Sequence, residues 1–290
     1  MEYLLHIFVL ACIYAILAVS LDLVAGQAGL LSLAHGAFYA LGAYSSALLA
    51  VHLGVPFLLG IVVGMGVAAA VSFIVSLSSL RLHGDYFVIA TFAFQMILLS
   101  VINNWMELTR GPLGIPGVPR PQFFGWRIQS TLDYAILAGG CAATSYWVVG
   151  RIATSPFGRV LRAIREDEVF AQSTGKNTFR VKAITFAVSA ALAAIAGSIY
   201  AHYITYIDPT SFTVMESILV LSMVILGGAG SLWGPLVGAL ALVILPEALQ
   251  AVGLPAAIAA QLRQVFYGSL LVAMMVLRPR GLVGRYGFGR

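Results

Sequence analysis

Between Arg151 and Lys182 the chain stops being oily. The 290 residues hold 16 Lys and Arg and 11 Asp and Glu, and ten of these charges fall in that one segment: Arg151, Arg159, Arg162, Arg165, Glu166, Asp167, Glu168, Lys176, Arg180 and Lys182. A stretch this polar does not sit in hydrocarbon, so whatever lies on either side must bring it to an aqueous face. Leu161, Ile164, Val169 and Phe170 recur at helical spacing, which predicts an amphipathic helix, a turn at Gly175 and a new helix start near Asn177 or Thr178. With seven basic residues against three acids, the segment is expected on the cytoplasmic side if its flanks span a membrane.

The flanks have the composition for that. Hydrophobic residues make up 60% of the chain and charged ones 9%, against roughly 25% charged in a soluble domain. Thirty glycines fit close helix packing in lipid. The expected fold is all-α: one polytopic transmembrane domain over 1–290 with about nine spans, a cytoplasmic coupling loop at 151–182 and a basic cytoplasmic tail at 278–290. The spans are read at about 4–25, 31–52, 57–79, 86–105, 132–150, 182–205, 215–227, 235–250 and 258–277. The first lacks a basic start and a small-residue cleavage site, so it reads as a span rather than a signal peptide. Alternation then puts Arg81 and the tail inside, and the loops at 106–130 and 206–214 outside. The net charge of +5 resides mostly in the central segment and the tail, which speaks against a nucleic-acid-binding face. Cys12 and Cys141 lie in apolar runs without metal-ligating neighbours and read as free thiols.

Two glycine-rich interruptions share the pattern Gly-x-Ala-Gly-x-Leu: Gly26 to Leu31 and Gly227 to Leu232. Each follows one apolar run and precedes another. Broken helices at matching places expose helix starts that offer amide donors at depth, so Gly29, Leu30, Ser32, Gly228, Gly230 and Ser231 are candidate substrate-path residues. Ser32 is placed to cap the second span. Charges inside spans also stand out. Asp22, His35, Glu216 and Glu247 are such positions, whereas Asp85 and Asp133 sit at span starts where the helix dipole suffices to explain them. His35 is compatible with packing, with a helix-to-helix hydrogen bond or with ligand contact. No GxxxxGK[ST] phosphate loop, HExxH, CxxC or GxSxG is present, so nothing points to an enzyme, to an ATPase within this chain or to a bound metal or cofactor.

Several stretches in order carry a resemblance. AGQAGLLSLAHGAFYALGAY, HGDYFVIATFAF, LTRGPLGIPGV, SPFGRVLRAIREDEVFAQSTGKN and ESILVLSMVILGGAGSLWGPLVGALALVILPE resemble the LivM-type branched-chain amino-acid ABC permeases, over roughly Leu21 to Pro279. Importers of that class carry an Ala-x-x-x-Gly core in the segment that docks into the ATPase, and Ala171 and Gly175 match it. Where the wider pattern has Glu-Ala ahead of that core, this chain has Val169 and Phe170, with Glu168 one position early. The resemblance implies an inner-membrane permease subunit that works with a second, related permease, two ATP-binding subunits and an extracytoplasmic substrate-binding protein. Arg162, Glu166, Glu168, Ala171 and Gly175 are then the coupling residues, and His35 joins the substrate path. Relatives of this kind also serve urea and short amides. The rival reading is an ion-coupled secondary transporter or channel in which Asp22, Glu216 or Glu247 couples to protons or sodium.

Overall fold

A computed structural model describes residues 2–251 apart from 83, 124, 125 and 129, and beyond them residues 265, 268, 269, 272, 273 and 281–283. Helices dominate, in the order α1 (Glu2–Asp22), α2 (His35–Leu53), α3 (Phe57–Ser79), α4 (Asp85–Asn104), the short α5 (Met106–Thr109), α6 (Thr131–Thr154), α7 (Pro156–Glu166), α8 (Glu168–Ser173), α9 (Thr178–Ile204), α10 (Val214–Gly227) and α11 (Gly234–Ala251). Two antiparallel pairs of two residues each interrupt the all-helical expectation, Ile115–Pro116 with Tyr206–Ile207 and Gln122–Phe123 with Trp126–Arg127.

Among the described residues, six helices are long and apolar enough to cross a membrane, where the sequence predicts nine: Glu2–Gln27, His35–Leu53, Phe57–Ser79, Asp85–Asn104, Thr178–Ile204 and Pro209–Gly227. α6 has the length, 24 residues, but its Asp133, Arg151, paired glycines and hydroxyl residues lower its apolar character. α11 qualifies only as a shorter apolar helix. The expected span at 258–277 falls outside the described residues except for a few positions, and only 281–283 of the tail is described.

Helix directions follow from side-chain pairs. His6 stacks on Tyr203 and hydrogen-bonds its hydroxyl at 2.8 Å, so the start of α1 lies at the end of α9. From there α1 runs to the charged segment, finishing in a π-helical turn at Leu23–Gln27. α9 runs the other way and packs against α2 and α3 to form the main seam. Small residues make that seam tight: a β-carbon built on Gly197 would lie 2.0 Å from the Tyr39 carbonyl oxygen.

The chain does not cross from α1 straight into α2. Residues 28–34 are largely non-helical, and α2 begins at His35 rather than near Leu31. Ser32 does not cap the helix; its hydroxyl accepts from the Ala34 amide within this connecting stretch. His35 Nε2 lies 3.2 Å from Ser189 Oγ, well along α9, so α2 starts part-way up the bundle. A matching event occurs from the opposite end. After α9 the chain passes through a 3₁₀ turn at Pro209–Phe212 and returns inward, so that Gln95 Nε2 donates to the Phe212 carbonyl at 2.8 Å and the Gly36 amide donates to Ser217 Oγ at 2.8 Å. The loop expected wholly outside at 206–214 therefore re-enters, and α10 begins beside the start of α2. Non-helical backbone inside a membrane protein is tolerable when protein groups satisfy it, which Gln95, Ser217, Thr91 and Ser32 do here.

Candidate functional site: a charged docking arm and a buried polar junction

The charged segment forms two helices, not one amphipathic helix. Ser155 caps α7 by accepting from the Gly158 amide, and Pro156 opens it in the position proline favours. α7 buries Leu161 and Ile164 and ends at Asp167, whose backbone is extended (φ −154°, ψ 105°). The Asp167 carboxylate accepts from the Phe170 amide at 2.9 Å and so starts α8. α8 closes on Gly175 at φ +80°, with the Lys176 amide bonded to the Ala171 carbonyl and the Gly175 amide to the Gln172 carbonyl, a Schellman turn. Asn177 then caps α9 by accepting from the Arg180 amide, as the sequence predicts.

Within this arm the expected coupling residues divide. Glu166 is exposed. Ala171 is buried beneath α8, Glu168 pairs with Lys182 at 2.6 Å, and Gly175 makes the turn. Arg162 faces inward, donating to the Ala153 carbonyl at 2.8 Å. The large apolar side chains that α8 presents outward, beside the exposed Gln172 and Ser173, are Val169, 74% exposed, and Phe170, 64% exposed. Two large apolar groups thus stand out of an otherwise charged segment.

The two glycine-rich interruptions meet each other under α7. Gly230 donates its amide to the Asp22 carboxylate, and Gln27 Nε2 donates to the Gly230 carbonyl at 3.1 Å. Arg165 reaches across from α7 to the Gly26 carbonyl, and its side chain also lies against Gly29 and Gly230. Leu30 donates its amide to the Val24 carbonyl, and Ser231 accepts from the Gly234 amide at the start of α11. Leu282 and Val283 hydrogen-bond the carbonyls of Leu226 and Gly227, so this part of the tail sits at the same end. Gly29, Leu30, Gly228, Gly230 and Ser231 thus form one cluster at the charged end, their amides largely engaged with protein.

Ser32 and His35 belong to a second, deeper cluster, where α2 and α10 begin. Tyr14 of α1 donates to Glu216 Oε1 at 2.6 Å. Leu17, His35, Gly36, Tyr39, Glu216 and Val220 line a tight crevice. Gln95, Ser189, Ser217 and Thr91 support it and were not singled out from the sequence. Each is a buried polar residue in an apolar run, and that is the only signal the sequence carries for it. Asp22 lies in the first cluster, not this one. The side chain of Glu247 lies outside the described residues. Among the described residues no group of three His, Cys, Asp or Glu is arranged to hold a metal ion.

A helical membrane chain with a docking arm and two interrupted segments can be compared with known proteins. The family model for the branched-chain amino acid transport system permease component matches residues 3–275. The chain belongs to this family. It is a family of transport permeases rather than enzymes, and its members act with other components of ABC transporters. The high-affinity branched-chain amino acid transport system permease protein LivM of Escherichia coli K12 is 35% identical over 297 residues, covering 94% of this chain and 68% of the relative. LivM of Salmonella typhimurium LT2 is 34% identical, covering 93% and 68%. The high-affinity branched-chain amino acid transport system permease protein LivH of the same Salmonella strain is 28% identical, covering 94% and 91%. No solved structure matches the chain significantly.

Proposed function

We propose that this permease is one of a pair of related subunits through which an ABC importer passes branched-chain amino acids across a bacterial-type cytoplasmic membrane. Two ATP-binding subunits grip the α7–α8 arm, and an extracytoplasmic binding protein delivers substrate at the opposite end. This chain contributes no resident cofactor; ATP is bound and hydrolysed by the partners. The observation that carries the reading is the arm itself. It offers Val169 and Phe170 to a partner on one side and, on the other, sends Arg165 into the junction where both interruptions meet. A rigid pull on α7 therefore acts at once on the ends of α1 and α10. A carrier driven by ions has no use for such a handle.

The test is uptake of leucine, isoleucine and valine, with urea as competitor, into proteoliposomes holding the assembled complex. Transport that persists on internal ATP after the ion gradients are collapsed supports the importer. Transport that follows the gradient and ignores ATP points to an ion-coupled carrier. Displacement of leucine by urea reassigns the substrate class.

A further inference from the structure

Around the crevice two buried acceptors have no donor. Ser189 Oγ has a single proton and donates it to the Ser20 carbonyl. Its contact with His35 Nε2 at 3.2 Å then requires the proton on the histidine nitrogen. In the neutral ring His35 Nδ1 is consequently a bare acceptor, and it is fully buried with no partner. Gln95 Nε2 is fixed by the Phe212 carbonyl, which leaves Gln95 Oε1, on a side chain behind the crevice, as a second buried acceptor without a donor. Glu216, lining the crevice, receives the Tyr14 hydroxyl and has no ion-pair partner among the described residues.

The donors at the helix start are meanwhile in use. Leu33 gives its amide to Thr91, Ala34 to Ser32, Gly36 to Ser217, and Ala37 and Phe38 to the Ala34 carbonyl. The backbone amides here offer an anion little. A group bringing several N–H donors and a positive charge finds what it lacks, because an unpaired carboxylate and orphaned buried acceptors are both costly in this setting.

We propose that the crevice between α1, α2 and α10 is the recognition point for the ammonium group of a zwitterionic amino acid, with Glu216 supplying the counter-charge and His35 Nδ1 a hydrogen-bond acceptor. The inference rests on the importer reading and adds to it which end of the substrate this chain reads. Leu17 and Val220 border the same space and suit an apolar side chain. As it stands the crevice is closed even to a water-sized group. Loading then requires α1 and α10 to part, and the Tyr14–Glu216 hydrogen bond spans that line of separation.

The experiment uses the full complex with its binding protein in proteoliposomes, and compares Glu216→Gln and Tyr14→Phe with the parent chain for leucine uptake and for ATP hydrolysis stimulated by the loaded binding protein. Glu216→Gln is expected to lower uptake at least tenfold while stimulated hydrolysis persists, and Tyr14→Phe, which keeps the carboxylate and removes only its hydrogen bond across the line of separation, to lose no more than about threefold. Uptake by Glu216→Gln within twofold of the parent overturns the proposal. So does an equal loss in Tyr14→Phe, which would make the carboxylate a brace between α1 and α10. If Glu216→Gln does not assemble, Glu216→Asp keeps the charge on a shorter arm; a raised KM with near-parental kcat supports the site, and an unchanged KM overturns it. Failure of the parent to transport on ATP would sink the importer reading instead, and is read from the parent arm alone.

Discussion

The carboxylate of Asp22 accepts a hydrogen bond from the backbone amide of Gly230 at 2.7 Å, joining points 208 residues apart. Asp22 is the last residue of α1 before its π turn, and Gly230 lies in the bend between α10 and α11. The bond therefore holds one interruption against the other. Gln27 repeats the tie from the same side, and Arg165 presses on both glycine segments from the docking arm. A charge buried near the end of a transmembrane helix, which sequence alone leaves open to ion coupling, has here a structural partner.

Removing that acceptor leaves a buried amide unsatisfied. Asp22→Ala is expected to cost about 1–3 kcal/mol, whereas Asp22→Asn, which retains a carbonyl oxygen at the same place, costs less than half as much. Thermal unfolding of the detergent-solubilised protein, followed by loss of monodisperse material, checks the order. Equal midpoints for the two variants would show that the bond contributes little.

Gly26 has no room for a side chain. A β-carbon there would lie 2.0 Å from Asp22 Oδ1 and 2.3 Å from the Gly230 amide nitrogen, and the second of these is backbone that cannot rotate away. Gly26→Ala is therefore expected to push the two interruptions apart and abolish transport in membranes that still contain the protein. Gly66→Ala on α3, where nothing lies within 4 Å of the added carbon, serves as the control and is expected to transport normally. Normal uptake by Gly26→Ala would mean that the junction can open without loss of function.

How much of this was readable beforehand depends on whether the cause is local. Asn177 as a cap, the turn at Gly175 and the polar segment as a surface arm are settled by residues within a few positions of each other, and the sequence signals them. The break at Asp167 is equally local, since its side chain starts α8, but the apolar positions on either side continue at helical spacing and hide it. The pairing of the two Gly-x-Ala-Gly-x-Leu stretches is visible as a similarity, whereas their contact through Asp22 is set by the packing of α1 against α10 and α11. The re-entry of Phe212 is set by Gln95 on another helix, and no nearby residue announces it.

Lys182 is a cation near the foot of a membrane helix, 6% exposed, paired to Glu168 at 2.6 Å. Losing only the acid strands a buried charge. Glu168→Gln is expected to destabilise the packing of α8 on α9 by about 1–3 kcal/mol, below the full cost of breaking a buried pair because the glutamate side chain is 23% exposed. The double variant Glu168→Gln/Lys182→Met removes the charge along with its partner and should recover most of that loss. Limited proteolysis of the 167–177 segment gives the measure. Cleavage of the double variant as fast as the single one would show that the pair, and not the stranded charge, sets the stability.

Val169 and Phe170 point away from the protein while Ala171 between them and Gly175 is buried, so the apolar part of the outward face of α8 is made by the two residues where the chain departs from the Glu-Ala of the wider importer pattern. Truncating side chains this exposed removes little internal packing, so a large effect on association arises at a partner. If the ATP-binding subunit covers this face, Phe170 is the kind of aromatic anchor on which an interface concentrates its energy, about 2 kcal/mol or more. Phe170→Ala is then expected to weaken co-purification with the ATP-binding subunits at least tenfold while leaving the melting midpoint of the isolated permease unchanged, and Val169→Ala to do the same to a smaller degree. Glu166→Ala, also exposed but charged and on the other side of the Asp167 break, should change association mainly at low salt. Undiminished co-purification by the double variant Val169→Ala/Phe170→Ala would move the ATPase contact off α8 and onto α7.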